Sequence, residues 1–351
     1  MGENFSFKGA LRKDVIFYIV LAAAGALLFS HDGFAENGKG KEKPAAAAVE
    51  KGVKIPDAVA TVNGVKISGA EFSKSLQSYK RRLSMMGQQF PEDHAKDINK
   101  SIIEDMVSRE LLIQNCNKIG IKVSDDDLNK EIEAIKSKFP SADQFNQMIK
   151  SQNMTMEDVK ADIRKGMHIN RLVKSEIEGK ISIDEKTVNE YYKNNPSQFL
   201  EDESVKASHI LVKVDKNAAK DAREAAKKKI DGLLKKVKKG EDFAKLAKEN
   251  SDDPGSGQNG GDLGFFSKGM MVPPFEKAAF ALKKDEISDV VETEFGYHII
   301  KLTDRKPSRT IPLNEVQDKL KSFLKSMEVN KKLTEYIANL RKTADVKIVE
   351  F

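Results

Sequence analysis

The last strand-like segment of this chain needs a partner from far away in the sequence. Residues 344–349 (ADVKIV) alternate apolar and polar side chains, which is typical of a strand with one buried face. A strand leaves a row of backbone N–H and C=O groups unpaired unless another strand lies beside it. Near the other end, residues 58–67 (AVATVNGVKI) alternate around Asn63-Gly64, a strong β-hairpin signal. We therefore predict that both chain ends meet in one sheet, with residues 205–305 inserted between them.

The length and charge of the chain limit its organisation and its partners. With 351 residues it exceeds one average domain, so two folded units plus extensions are expected. The net charge of +6 comes from lysines dispersed among nearly as many acids, without a compact arginine cluster. This distribution argues against a nucleic-acid partner and leaves a weak association with anionic membrane surfaces as an expectation.

The N-terminus has the form of a secretory signal. Three basic residues precede an apolar run at 15–29, and the tripeptide Gly-Phe-Ala follows at 33–35. The basic residues are Lys8, Arg12 and Lys13. We predict a signal peptide over residues 1–35 and an exported, periplasmic protein. The alternative is an uncleaved inner-membrane anchor that faces the protein toward the periplasm. Residues 36–56, rich in Gly, Lys, Ala and Pro, are predicted to be a flexible linker.

Residues 69–192 show a helical pattern. Apolar residues at three- and four-residue spacings form one stripe, and Ser or Thr followed three residues later by an acid predicts helix starts. The stripe consists of Ile102, Ile103, Met106, Val107 and Leu111. The predicted starts are Ser124 with Asp127, Thr155 with Asp158, and Ser182 with Glu185. The methionines of this region, interpreted as core residues or alternatively as an adaptable cradle for unfolded chains, are Met85, Met86, Met148, Met154, Met156 and Met167.

Cys116 is the only cysteine of the chain. It follows the apolar run Leu111-Leu112-Ile113 in a helical pattern, so we predict a buried structural thiol. A catalytic thiol would need a partner histidine and an electropositive setting, which its neighbours in the sequence do not supply.

Two histidines and an aspartate mark the middle of the chain. His209 lies in a predicted strand at 205–214, His298 lies in another at 298–302, and Asp253 lies in a glycine-rich loop between them. Together these three residues predict a hydrogen-bonded polar cluster. A metal site is the competing interpretation, but the short ligand spacings of such sites are missing. A serine hydrolase would need a nucleophile on a sharp turn before a helix, and Gly255-Ser256-Gly257 lies in a flexible loop instead.

The remaining pattern of the middle region comprises two helices, a loop, a short helix and a closing strand. The predicted ranges are 218–239, 242–249, 252–264, 275–282 and 290–291.

Five sequence blocks over about a hundred residues resemble the parvulin family of peptidyl-prolyl isomerases. They are SHILV at 208–212, SDD at 251–253, GGDLGFF at 260–266, PFEKAAFAL at 274–282 and GYHII at 296–300. The resemblance implies a four-stranded antiparallel sheet surrounded by helices. It also implies catalytic roles for His209, Asp253, His298 and Thr293, and a proline pocket of Leu263, Phe266, Met271 and Phe275.

The resemblance further implies non-covalent rotation of X-Pro bonds, without a metal or cofactor. Aspartate at position 253, where the family has Cys or Asp, argues against a covalent mechanism. Parvulins that recognise phosphoserine place a basic cluster after the first strand, whereas here only Lys213 and Lys216 follow, with Asp215 between them. We therefore expect no requirement for a phosphorylated substrate.

The flanking segments are similar to SurA- and PrsA-type exported foldases. We predict an α+β protein whose mostly helical N-terminal chaperone-like module (57–200) is completed by the C-terminal helix and strand (306–351), plus a parvulin domain (203–305). The expected function is isomerisation and chaperone assistance for unfolded or partly folded exported polypeptides that contain X-Pro. The alternative is a holdase or assembly chaperone whose parvulin domain is catalytically idle.

Overall fold

The computed structural model describes residues 55–152 and 154–351. The predicted signal peptide, its alternative as a membrane anchor, and the predicted linker apart from Ile55 and Pro56 lie outside these residues. The described chain forms two compact units, which we call the central unit (189–316) and the terminal unit (55–188 with 317–351). None of the helices in the described ranges combines the length and the hydrophobicity that a membrane span requires.

The described residues contain nine strands and ten α-helices. The strands are β1 (Ala58–Val62), β2 (Val65–Ser68), β3 (Leu200–Glu201), β4 (Ser204–Lys213), β5 (Asp262–Ser267), β6 (Val291–Thr293), β7 (Gly296–Lys306), β8 (Arg309–Thr310) and β9 (Val346–Ile348). The helices are α1 (Gly69–Met85), α2 (Ala95–Lys118), α3 (Asp125–Lys136), α4 (Ala142–Ser151), α5 (Met156–Leu172), α6 (Glu185–Asn194), α7 (Lys220–Lys238), α8 (Phe243–Asn250), α9 (Pro273–Ala281) and α10 (Leu313–Lys342). The predicted α+β class is confirmed.

The terminal unit joins the two ends of the described chain. β1 and β2 form the predicted hairpin, and Asn63 and Gly64 both adopt the positive φ that its turn requires. β9 lies antiparallel to β1, on the side opposite β2. The backbone N–H of Asn63 donates to the Asp345 carbonyl at 2.8 Å, and the Asp345 N–H returns a 2.8 Å bond to Asn63 Oδ1. The predicted pairing of the last strand is therefore confirmed.

The helices of the terminal unit bury the predicted apolar stripe. Ile103, Val107 and Leu111 of α2 are buried, and Ile102 and Met106 pack at the edge of the same cluster, which also includes residues of β1. Cys116 is fully buried and contacts the His168 carbonyl, and burial raises the pKa of its thiol to about 11. Both the stripe and the structural thiol are as predicted.

Two of the three predicted helix starts are confirmed. The Ser124 hydroxyl accepts from the Asp127 amide at the start of α3, and Thr155 and Asp158 form a reciprocal capping box at the start of α5. The third prediction is wrong. Helix α6 begins at Glu185, and Asp184 rather than Ser182 accepts from the Thr187 amide at 2.8 Å. Aspartate is as strong an N-cap as serine, and its position next to the first helical turn decides between them.

The methionines of the terminal unit divide into two groups. Met148, Met154, Met156 and Met167 pack against the apolar cluster of α3, α4 and α5, as core residues would. Met85 and Met86, at the end of α1, are 70% and 60% exposed. The interpretation as core filler thus holds for the first group and is wrong for the second.

The central unit contains the four-stranded antiparallel sheet that the family resemblance implies, in the order β5-β4-β7-β6. Alternate residues of β4 and β7 face opposite sides of it. Ile210, Val212 and Ile299 pack with α7 on one side. Ala207 and Ile300 pack with α9 on the other. His209 and His298 lie on this second side, because each is one residue removed from a residue that faces α7.

One strand of this sheet was not predicted from the residue pattern. β5 overlaps the end of the segment predicted as a glycine-rich loop (252–264), and it runs from Asp262 to Ser267. Gly264 adopts a φ of +69°, so the strand is irregular and lacks a clean alternation of apolar and polar residues. A two-stranded ribbon of β3 and β8 was also not predicted.

Candidate active site

The register between β4 and β7, the two inner strands of the sheet, brings the histidines together. His209 of β4 pairs with Ile300, and His298 of β7 pairs with Leu211, so the two histidines are diagonal neighbours on one face of the sheet. Their Nδ1 atoms are 3.2 Å apart and their rings lie at an interplanar angle of 22°. Both residues are almost inaccessible, at 6% and 4% exposure. A buried pair of this kind must satisfy its ring nitrogens internally.

The loop after α8 supplies a carboxylate to His209. Asp253 Oδ2 lies 2.8 Å from His209 Nε2, and the Ser256 hydroxyl donates a hydrogen bond to the same oxygen. The Gly255 amide donates to the other oxygen at 3.1 Å. Burial alone would raise the pKa of Asp253, but the hydrogen bonds from Ser256, His209 and Gly255 outweigh it and hold that pKa well below its ordinary value. Asp253 is therefore a carboxylate that only accepts hydrogen bonds.

The hairpin of β6 and β7 supplies a hydroxyl to His298. Thr293 Oγ1 lies 2.7 Å from His298 Nε2, and the Phe295 amide donates to Thr293 Oγ1 at 3.1 Å. Thr293 is itself buried. His298 thus has a partner on each ring nitrogen, His209 on one side and Thr293 on the other.

The partners give the network a direction. Because Asp253 only accepts, His209 Nε2 carries the proton of this hydrogen bond. In the tautomer protonated on Nε2 alone, His209 Nδ1 accepts from His298. His298 then accepts at Nε2 from the Thr293 hydroxyl. Burial, with a smaller effect of His209, lowers the pKa of His298 to about 4, while Asp253 acts in the opposite sense. At neutral pH His298 is therefore uncharged, and one chain of hydrogen bonds runs from Thr293 to Asp253.

The predicted pocket residues lie in one apolar cluster on the same face of the sheet. Phe266 and Phe275 are buried in this cluster, and Leu263 and Met271 are half-buried against it. The ring of Phe275 stands edge-on to both histidine rings, with centroids 5.7 Å from His209 and 5.4 Å from His298. The polar network and the apolar cluster therefore share Phe275 as a common wall.

All eight predicted site residues lie in the central unit, and the structure adds Ser256 to them. Its hydroxyl also lies 3.1 Å from His209 Nε2, and the residue is 4% exposed. In the sequence, Ser256 stands out only as a possible nucleophile, and its loop does not suit that role. The spacing Asp-x-x-Ser in a tight loop could have indicated it, since this spacing allows the serine to bond back to the aspartate. Within residues 55–152 and 154–351, no three His, Cys, Asp or Glu side chains are grouped so as to hold a metal ion.

Comparison with known proteins assigns both parts of the chain. Residues 191–306 match the PPIC-type PPIase domain, and residues 10–173 match the SurA-like N-terminal domain. The foldase protein PrsA of Geobacillus kaustophilus is 37% identical over 232 residues, which are 66% of this chain and 71% of that protein. PrsA of Geobacillus sp. strain WCH70 is 35% identical over 262 residues, 74% of this chain and 83% of that protein.

The chain belongs to the PrsA foldase family.

Among solved structures, a SurA-like chaperone of Campylobacter jejuni aligns over 83% of this chain and 100% of its own, with 26% identity and a TM-score of 0.41. As a PrsA-family member with a PPIC-type domain, the protein is a peptidyl-prolyl cis-trans isomerase of the parvulin type. It acts as a foldase with chaperone function in the folding of exported proteins.

Proposed function

We propose that His209, Asp253, His298 and Thr293 form the catalytic network of this isomerase. In the same proposal, Leu263, Phe266, Met271 and Phe275 hold the proline ring of an X-Pro substrate. The observation that supports both parts is the position of Phe275, whose ring stands edge-on to both histidines within the apolar cluster. A proline held against this ring would place its preceding carbonyl next to the polar network.

The chemistry of rotation suits such a site. Amide resonance opposes rotation about an X-Pro bond by about 18–20 kcal/mol, and no covalent bond is made or broken when it rotates. A catalyst must therefore grip the ring and stabilise the twisted amide. Each tenfold acceleration needs about 1.4 kcal/mol of preferential stabilisation, which shape and one well-placed hydrogen bond can supply. Asp253 acts in this proposal as a fixed acceptor for His209.

The test is isomerisation of a short X-Pro peptide by the purified protein and its variants. His209→Ala is expected to lower kcat/KM by roughly tenfold or more, since it removes the centre of the network. Met271→Ala is expected to weaken peptide binding, because it removes one wall of the pocket. Matched controls are the exposed His94→Ala and the half-buried Met167→Ala of the terminal unit. Equal rates for wild type, His209→Ala and Met271→Ala would reject the assignment.

We further propose that residues 57–200 with 306–351 form the chaperone module and that residues 203–305 form the isomerase domain. The exposed Met85 and Met86 support a role in contacting unfolded chains, because unbranched thioethers adapt to varied apolar surfaces. A protein in which residues 36–200 are joined to 307–351 is expected to suppress the aggregation of an unfolded client. Complete loss of suppression in a folded protein of this kind would contradict the proposal.

For location, we propose that residues 1–35 are a signal peptide and that the mature protein acts in the periplasm. The basic, apolar and small-residue order of that segment supports this assignment. N-terminal sequencing of the mature protein is expected to begin after Ala35. A mature chain that retains residues 15–29 would instead favour an anchor in the inner membrane.

We also propose a weak association with anionic membrane surfaces, which the charge of helix α7 supports. This helix carries eight basic and three acidic residues, a net charge of +5 against +6 for the whole chain. Lys228, Lys235 and Lys236 are exposed and have no ion pair within the described residues. Each lysine near an anionic bilayer contributes about 1 kcal/mol of binding.

Co-sedimentation with anionic vesicles tests this association. Replacing Lys228, Lys235 and Lys236 by alanine is expected to reduce binding at low salt. Replacing Lys96, Lys100 and Lys118 of α2, which are also exposed, is the charge-matched control. Equal loss of vesicle binding in both triple variants would mean that binding depends on net charge alone and not on α7.

A further inference from the structure

Ser256 makes three polar contacts inside the candidate active site although it is not among the residues expected there. Its hydroxyl donates a hydrogen bond to Asp253 Oδ2 and lies 3.1 Å from His209 Nε2. Its backbone amide donates to the same Asp253 oxygen at 3.2 Å. The residue is 4% exposed, and a buried hydroxyl that contacts both a carboxylate and an imidazole has a fixed orientation.

The backbone around Ser256 is anchored to the strand that carries His209. The Ser256 carbonyl accepts from the Gly261 amide at 2.9 Å, and the Gly261 carbonyl accepts from the His209 amide at 2.9 Å. A side chain at Gly261 would place its Cβ 2.1 Å from the His209 carbonyl oxygen, so the two segments are in direct contact. The loop therefore presents Ser256 to His209 from a backbone that has little freedom to move away.

Asp253 needs such support more than a buried carboxylate would. Its side chain is 23% exposed, so water competes for its oxygens and the carboxylate has room to rotate. Ser256 supplies two of the donors on Oδ2, and that oxygen is also the one that accepts from His209. Without the hydroxyl, two backbone amides would hold the carboxylate in place for His209. They are the Ser256 amide on Oδ2 and the Gly255 amide on Oδ1.

We infer that Ser256 is a positioning residue that fixes the Asp253 carboxylate and thereby holds His209 as the tautomer protonated on Nε2. The inference rests on the proposed catalytic role of the histidine network and deepens it. In the tautomer protonated on Nε2 alone, His209 Nδ1 is an acceptor, and the hydrogen bonds from Thr293 through His298 all point one way. Loss of the Ser256 hydroxyl would let His209 populate both tautomers and would break that alignment.

The test compares Ser256→Ala with wild type in the full-length protein. Imidazole ¹⁵N shifts are expected to change from one His209 tautomer to a mixture, and the pKa of Asp253, followed by carboxyl NMR, is expected to rise. The rotation rate of a bound X-Pro peptide should fall by roughly tenfold, which is the effect of losing one hydrogen bond to a charged group. Peptide affinity should stay unchanged, because Ser256 lies outside the apolar cluster.

Two variants separate positioning from a merely structural role. Ser256→Thr retains the hydroxyl and is expected to restore both the rate and the single tautomer. Ser288→Ala removes another buried hydroxyl of the central unit, one that accepts from the Ile300 amide, and should lower stability without changing the His209 tautomer. If Ser256→Ala does not fold, Ser256→Cys, with a weak thiol donor, should show the same changes to a smaller extent.

Each outcome separates the inference from the proposed function. If Ser256→Ala keeps the single His209 tautomer and a rate within twofold of wild type while His209→Ala is slow, only the positioning role is overturned. If His209→Ala is as fast as wild type, the catalytic network itself is rejected, whatever Ser256→Ala does.

Discussion

Burial sets the charge of His298, and this links the pH dependence of stability to one residue. Its pKa in the folded protein is about 4, against about 6.5 for an ordinary histidine. Between these values the unfolded chain binds a proton that the folded protein does not, so unfolding becomes easier as the pH falls. The stabilisation that comes from keeping His298 uncharged is fully present above pH 6.5 and is lost by about pH 4. The difference corresponds to roughly 3 kcal/mol of unfolding free energy.

Urea unfolding followed by circular dichroism at pH 7 and pH 4.5 checks this prediction. His298→Gln should reduce the loss of stability between the two pH values, since it removes the titrating group. His94→Gln is the control, because the His94 side chain is largely exposed in the folded protein. An unchanged pH dependence in His298→Gln would contradict the assignment.

Two glycines with left-handed backbone offer a second test at the residue scale. Gly261 has a φ of +81° and lies against the His209 backbone, whereas Gly264 has a φ of +69° and open space where a Cβ would be. Gly264→Ala should cost only about 1–2 kcal/mol for the left-handed conformation. Gly261→Ala should cost more than about 3 kcal/mol, because the chain must also move away from His209. Thermal unfolding measures both, and equal costs would mean that the loop relaxes freely.

At this scale the sequence predicted which side chains belong to the candidate site better than it predicted their hydrogen-bond partners. His209, His298 and Asp253 stand out because polar residues interrupt apolar strands or lie in a glycine-rich loop. Ser256 did not, because a serine in such a loop is ordinary until the fold places a carboxylate and an imidazole beside it. Its role depends on contacts with His209, 47 positions earlier, which a local pattern does not contain.

At the scale of elements, the start of α6 shows how a cap is chosen. Asp184 Oδ1 accepts from both the Thr187 amide and the Thr187 hydroxyl, while Ser182 is exposed two residues earlier. Asp184→Ala should therefore lower the unfolding free energy of the terminal unit by about 1 kcal/mol. Ser182→Ala is the matched control and should change it by less than about 0.5 kcal/mol. Chemical unfolding of both variants checks this, and a larger effect of Ser182→Ala would restore the sequence-based prediction.

Elements with a strong local pattern were predictable, and those without one were not. β4 and β7 contain short buried apolar runs, and α7 has the helical spacing that local rules detect. β5 carries glycine at its third position, and its identity as a strand comes from pairing with β4, from Ser204 opposite Ser267 to Ser208 opposite Asp262. Strand pairing of this kind is a tertiary contact, so the family resemblance implied a fourth strand whose position the residues alone did not give.

At the scale of the whole molecule, the strand-like segments near the two ends of the sequence predicted how the chain is divided into units. A terminal strand and a hairpin that both need partners leave few solutions, and the pairing of β9 with β1 is the one observed. The division into two compact units follows from this pairing. The central unit is continuous in sequence, whereas the terminal unit is completed by the last residues of the chain.

This connectivity predicts that the two units respond differently to loss of the C-terminus. Deletion of residues 344–351 removes β9 and the Phe351 ring, which packs edge-on against the buried Phe72 at 5.4 Å. β1 would keep its pairing with β2 but lose its pairing with β9, and Phe72 would become more accessible, so the terminal unit should unfold at a lower temperature. The sheet of the central unit contains only β4, β5, β6 and β7, so the isomerisation of a short X-Pro peptide should persist.

The experiment measures aggregation suppression and peptide isomerisation on the same truncated protein. Lys347→Ala is the control, because that side chain is 74% exposed and its removal leaves the β1–β9 backbone pairing in place. Suppression should fall in the truncated protein and not in the control, while isomerisation should stay near the wild-type rate in both. Parallel loss of both activities on truncation would show that the central unit depends on the terminal unit for its fold, against the independence that its continuous sequence indicates.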